Sequence, residues 1–419
     1  MYRRLRADPA EPALDSPTML VPEEALAEIL RRIEPRGIVE NAPLAEASGR
    51  VLARDAVSDV DVPPFEKSAM DGFAVRSADF SARQGPVLLR RIGEARAGAP
   101  YGGAIAEGEC AEIATGSEIP RGADAVVMVE KSRAHGDRVA LDDDPRPGQN
   151  VCHRGEDLRL SETVLERGRR LSPVELSVLA AVGCEPVPVF ARPKLALFAT
   201  GDELVRPSET PGPGQIREGN TFYLAARARA AGADVRRSEA AADDEAALER
   251  AFRDAFESAD AVMTTGGVSM GRYDLVGAVL ERCGVEPVFH KVAIKPGKPL
   301  WFGVRGRVPV FALPGNPVSC LIGFEVFVRP ALAKMEGASS IAPPPRRGRW
   351  SGAATVANPR EQHVPVRVHP GEDGADRLEP IRWRSSADIV GLTRADALAV
   401  VAIGRVLAPG DVVEYRPLR

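Results

Sequence analysis

Apolar positions Ala25, Leu26, Ile29, Leu30 and Ile33 recur at helical spacing behind Pro22, which suits a first turn, so the pattern predicts an amphipathic helix over 22–32. From Val57 to Asp157 the period shortens to alternating stretches such as CAEIAT and DAVVMVE, cut by PP, GAP, GG and DDDPRPG turns. A β-rich domain is expected over 57–157. The stretch LSPVELSVLAAVGC then predicts a helix with Ser172 as N-cap, Pro173 in the first turn and Gly183 as the stop signal. It is expected to return the chain to the opening segment. Between 193 and 335, strands (KLALFAT, DAVMTTGG, VPVFALPG) alternate with amphipathic helices (TFYLAARARAAG, DDEAALERAFRDAF, YDLVGAVLERCG), which predicts a mostly parallel sheet covered on both faces. EGASSIAPPPRRGRW reads as a linker, and 345–419 has the strand spacing of a small β-barrel or sandwich.

Composition narrows the function. The 419 residues carry 55 Lys and Arg against 59 Asp and Glu, and a net charge of -4 offers no field for gripping a nucleic-acid backbone. Five scattered cysteines without a CxxC pair read as reduced thiols, and five histidines without an HExxH pair leave zinc unsupported. The basic start leads into no apolar run of membrane-spanning length. A cytoplasmic protein, without membrane or nucleic-acid partner, is expected.

Ligands of open parallel sheets bind beyond the carboxyl ends of the strands, and three strands here end in polar loops: ATGDEL, TTGGVSMG and LPGNPVS. Gly266 and Gly267 permit close backbone approach, and Ser269 precedes a helix whose free N–H groups favour a phosphate, although glycine pairs also form plain turns. In LPGNPVS, Pro314 and Pro317 fix the loop while Asn316 either caps the next helix or contacts ligand. In FHKVAIKPGKP, strand alternation puts Lys291 and Lys295 on one face, with Lys298 in the following turn; an anion grip and a solvated edge strand both fit. Asp71, Asp157, Glu203 and Asp274 sit singly in turns; brought together, they suit a hard cation such as Mg²⁺. Asp243 reads as a helix N-cap or a further metal ligand, and Thr115 either donates to an oxyanion or closes a turn.

DVPPFEKSAMDGFAV, GQNVCHRGED, FATGDEL, TTGGVSMGRYD, KVAIKPGKP and LPGNPVS occur in this order, and with them the chain resembles the molybdopterin molybdenumtransferase family, which includes the E domain of gephyrin. The resemblance implies a multidomain α/β and β fold. It comprises an α/β/α molybdopterin-binding domain at 193–335, a β-rich domain at 57–157, a discontinuous, elongated linking and dimerisation domain at 18–56 and 158–192, and a C-terminal β-barrel at 345–419. It implies a homodimeric transferase that takes adenylylated molybdopterin and molybdate, releases AMP and leaves molybdenum on the dithiolene sulfurs. Asp71, Thr115, Asp157, Glu203 and Asp274 are then catalytic, with Asp71, Glu203, Asp274 and Asp243 as Mg²⁺ ligands. Gly266, Gly267, Ser269, Lys291, Lys295, Lys298, Pro314, Asn316 and Pro317 bind the anionic substrates, joined from the barrel by Arg360 and Ser386. Asp71 and Asp157 of one subunit are expected to complete a site carrying Glu203 and Asp274 of the other. Molybdopterin adenylyltransferase and molybdoenzyme maturation factors are the expected partners. The chain departs from the family pattern at Cys152 and His153, at Glu218 and Gly219, and at Val390 and Gly391. A non-catalytic scaffold of the gephyrin type and an adenylyltransferase are the competing functions.

Overall fold

The α/β sheet sets the architecture around the candidate site. The computed structural model describes residues 19–81, 85–267, 275–371 and 374–418. Backbone contacts divide the chain into one unit of Met1–Glu40 with Phe190–Arg419 and a second unit of Asn41–Val189.

In the first unit six strands lie in the order Asp234–Arg237, Lys194–Ala199, Ala261–Thr265, Val308–Leu313, Trp301–Arg305, Glu286–His290. The first four run parallel. Trp301–Arg305 runs antiparallel to both of its neighbours, so Glu286–His290 points the same way as the first four; the sheet is mostly parallel as expected, but the strand and helix alternation is broken at this one strand. Only Gly306 and Arg307 separate Trp301–Arg305 from Val308–Leu313, and Gly306 has φ 60°. A two-residue turn of that kind can join only antiparallel neighbours.

Because successive strand residues face opposite ways, the sheet builds two cores. Leu195, Leu197, Met263, Phe311 and Leu313 pack on one face with Leu224 of helix Asn220–Ala230, Cys320 and Ile322 of Pro317–Gly323, and Leu332 of Arg329–Glu336. The opening helix Pro22–Arg32, with Pro22 in its first turn, adds Ala25 and Ile29 to this core. Ala196, Phe198, Val262 and Val310 pack on the other face with Leu248 and Phe252 of helix Glu245–Ser258 and Val276 and Val279 of Leu275–Arg282. Phe198 and Phe252 meet edge to face at 5.1 Å. Truncating so deeply buried a ring costs about 3–5 kcal/mol.

Strands Arg346–Trp350, Glu361–His369, Asp376–Pro380, Ala397–Val401 and Val412–Pro417 close into a five-stranded barrel, because Glu361–His369 pairs with both Asp376–Pro380 and Ala397–Val401. Trp350, Val366, Leu378, Ala399 and Tyr415 fill it. A short strand, Ile294–Lys295, pairs in parallel with Glu361 and Gln362 and ties the lysine segment to the barrel wall.

The second unit carries a six-stranded sheet in the order Ala125–Met128, Gly72–Val75, Glu109–Ile113, Val87–Ala95, Arg138–Leu141, Ser132–His135. Phe73, Val75, Leu89, Val127 and Leu141 form its main core. Helix Pro173–Ala181 begins as expected, with Ser172 and Glu175 in a reciprocal capping box, and Gly183 beyond its end has φ 72°.

Candidate functional site

Strands Lys194–Ala199, Ala261–Thr265 and Val308–Leu313 are parallel neighbours, so their carboxyl ends deliver the three polar loops to one edge. There they line a cavity of about 660 Å³ whose walls include Thr200, Glu203, Asn220, Asp243, Gly266 and Gly267. Gly266 (φ 97°) and Gly267 (φ 66°) hold left-handed conformations, and a Cβ on Gly266 would stand closer than 3.0 Å to the Thr200 carbonyl oxygen. The glycine pair is therefore required by the close approach of two strand ends as well as by the turn.

The acidic side of this cavity is electrostatically strained. Burial pushes the Asp243 carboxyl above the usual range, and the neighbouring Asp202 and Glu203 carboxylates push it further. Asp243 is not the helix cap: Asp244 takes that position and its Oδ2 accepts from the Ala247 N–H at 2.9 Å, while the Asp243 N–H donates to Asp202 at 3.0 Å. Among the described residues no three His, Cys, Asp or Glu converge to cage a metal. Carboxylates that repel one another beside a cavity fit a cation of the Mg²⁺ type, which needs only one or two of them and takes its other ligands from water and substrate oxygens.

A second cavity of about 510 Å³ is lined by Lys295, Lys298, Arg360 and Ser386. Pro299, Pro314 and Asn316 belong to both cavities, so the two are halves of one cleft. The Asn316 amide does not cap its helix; it donates to Ser386 Oγ at 3.0 Å, while Pro317 forms the first helical turn. Lys291 departs from expectation. Strand geometry ends at His290, Lys291 has φ 89°, and it lines neither half of the cleft. The left-handed backbone breaks the alternation on which its shared face with Lys295 depended. Ser319 and Arg384 join the cationic half without having been singled out; the run RSSAD around Ser386 was the available signal.

In the second unit, Asp71 lies in the turn before Gly72–Val75 and accepts from the Thr115 N–H at 2.7 Å and hydroxyl at 2.9 Å. These two donors, the backbone one first, hold the Asp71 carboxyl below the usual range. Asp157 donates its N–H to Val62 O at 3.0 Å, and its charge helps raise the Cys152 thiol pKa, which burial raises most. Ser269 and Asp274 lie outside the described residues.

Three family models cover nearly the whole chain: the MoeA N-terminal region (domain I and II) over 20–183, the probable molybdopterin binding domain over 196–334, and the MoeA C-terminal region (domain IV) over 348–418. Together with the α/β sheet, its cleft and the closed barrel, they define a multidomain protein built around a molybdopterin-binding domain. The relatives then fix the assignment. A molybdopterin molybdenumtransferase from Haemophilus influenzae is 38% identical over 81% of this chain and 82% of its own, and one from Nostoc sp. is 32% identical over 94% and 92%. A molybdopterin biosynthesis moeA protein from Pyrococcus horikoshii OT3 superposes with a TM-score of 0.82 at 30% identity, covering 95% of this chain and 99% of that one. The chain belongs to the molybdopterin molybdenumtransferase family, a family of transferases.

Proposed function

We propose that this chain inserts molybdate into adenylylated molybdopterin and releases AMP. The observation that carries the reading is the continuity of an acidic, glycine-lined cavity with a cationic one through Pro299, Pro314 and Asn316. Phosphate, anhydride and molybdate repel one another, and each requires its own counter-charge at a fixed separation. Lys295, Lys298, Arg360 and Ser386 hold the oxyanion by charge and hydrogen bonding. Gly266, Gly267 and Asn220 accommodate the phosphate-bearing molybdopterin, with Pro314 and Pro317 stiffening the loop between. Glu203 and Asp243, joined by Asp274, would hold Mg²⁺, which supplies charge neutralisation at the anhydride when bound. Water adds to the adenylyl phosphorus, the anhydride P–O bond breaks and AMP leaves. The dithiol of molybdopterin then displaces one molybdate oxygen, which departs as water carrying the two thiol protons, and molybdenum stays on both sulfurs.

The protein acts as a cytoplasmic homodimer in four parts: 18–56 with 158–192, then 57–157, 193–335 and 345–419. Asp71, Thr115 and Asp157 of one subunit complete the cleft of the other. No helix among the described residues is long and apolar enough to cross a membrane. The test is AMP release from adenylylated molybdopterin with and without molybdate and Mg²⁺. Release that requires both supports the reading, whereas a folded dimer inert in every condition supports the scaffold alternative. Mixed dimers of Asp71→Asn and Asp274→Asn subunits should regain one active site; no recovery rejects the shared arrangement.

A further inference from the structure

The loop from Pro314 to Pro317 is the wall common to both halves of the cleft, so its position sets how the two halves are spaced. Two of its four residues are prolines, which have no N–H with which to anchor a backbone. Three of its four carbonyls are anchored by side chains from outside the loop, and the fourth, on Asn316, accepts from the Cys320 N–H at 3.0 Å. The Cys320 thiol donates to Pro314 O, Asn220 Nδ2 donates to Gly315 O at 2.6 Å and to Thr265 Oγ1 at 3.2 Å, and Tyr223 Oη donates to Pro317 O at 2.7 Å. On the far side the loop is tied to the barrel, since Asn316 reaches Ser386 Oγ and the Val318 N–H donates to Ser386 O at 3.0 Å.

We infer that Tyr223 and Cys320 are positioning residues for the proposed reaction: their hydroxyl and thiol hold the Pro317 and Pro314 carbonyls and thereby fix the distance between the two anion-binding halves. Neither residue lines the cleft, so neither touches substrate. Cys320 is fully buried beneath the loop. Burial pushes its thiol up to about 12, and burial likewise raises the Tyr223 phenol, so both remain protonated donors across the working pH range. Reacting groups displaced by about 1 Å can lose about 100-fold in rate, so a loop released at either end has kinetic consequences even though the fold persists.

The inference rests on the proposed insertion reaction, and two readouts separate the failures. Full-length Tyr223→Phe, Cys320→Ala and Cys320→Ser proteins are compared with wild type by hydrogen–deuterium exchange of the peptide spanning 313–321 and by AMP-release kinetics. Tyr223→Phe removes a single oxygen, so it reports even if a cysteine variant folds poorly. Tyr223→Phe and Cys320→Ala should each speed exchange of the peptide and lower kcat by about 10-fold, with KM changed much less. Cys320→Ser keeps a donor and should recover most of the loss that alanine causes. Unchanged exchange and kcat in Tyr223→Phe, or serine behaving like alanine, overturns the inference. If wild type releases no AMP, the reading of the function fails, and exchange alone decides whether these donors hold the loop.

Discussion

Replacing Gly266 by alanine separates two demands that this position meets. At φ 97° an L side chain incurs about 1–2 kcal/mol of backbone strain. The added Cβ also meets the Thr200 carbonyl oxygen inside 3.0 Å, and the obstacle is backbone, which cannot swing aside as a flexible side chain can. Relief by bending backbone angles by about 15° would cost about 4 kcal/mol more. The total is about 5 kcal/mol, and at about 2–4 °C per kcal/mol it lowers the melting temperature by about 10–20 °C. Gly214 supplies the control. It has φ 77° and nothing within 4 Å of the built Cβ, so Gly214→Ala should lose only the backbone part, about 2–8 °C. Thermal unfolding of both variants, with AMP release measured on the folded fraction, checks the reasoning. A Gly266→Ala protein that melts with Gly214→Ala and turns over normally would show that the strand ends do not need the close approach.

Asp243 has a raised folded pKa, so its ionisation opposes folding. That cost is absent below its unfolded pKa and appears as pH rises through the folded value. Asp243→Asn should therefore raise the neutral-pH melting temperature in the absence of divalent cation and shrink the increment that Mg²⁺ gives wild type, both read by thermal shift. Thr115→Val removes one of the two donors that hold the Asp71 carboxyl down, so the acid limb of the pH–rate profile should move to higher pH; an unmoved limb would remove Asp71 from the titrating groups. Arg360→Ala and Ser386→Ala should each raise the molybdate KM by about 10-fold, on the scale of one lost hydrogen bond to a charged group, whereas Lys291→Ala should leave it unchanged in the same assay.

Local signals carried far into this fold. The opening helix, the Ser172 N-cap and the three strand-end loops are legible because spacing, capping chemistry and parallel-sheet geometry are short-range properties. Periodicity misleads where a single backbone angle overrules it. Lys291 alternates correctly with Lys295 along the sequence, yet its positive φ turns the chain between them. Asp243 and Asp244 are indistinguishable as caps until the helix start is seen. The lattice of Asn220, Tyr223 and Cys320 around the Pro314–Pro317 loop joins two helices nearly a hundred residues apart, and no local pattern announces a contact of that separation. Asp71 and Thr115 lie 44 residues apart in sequence, and the antiparallel pairing of Gly72 with Ile113 brings them together.

The parallel pairing of Ile294 and Lys295 with Glu361 and Gln362 stitches the lysine turn to the far end of the chain. A gene fragment ending before the barrel would keep its glycine pair and its carboxylates but would lose Arg360 and Ser386 together with the hydrogen bonds that seat Lys295. Fusions or truncations that treat the C-terminal barrel as dispensable cargo would thus retain one half of the cleft and discard the other.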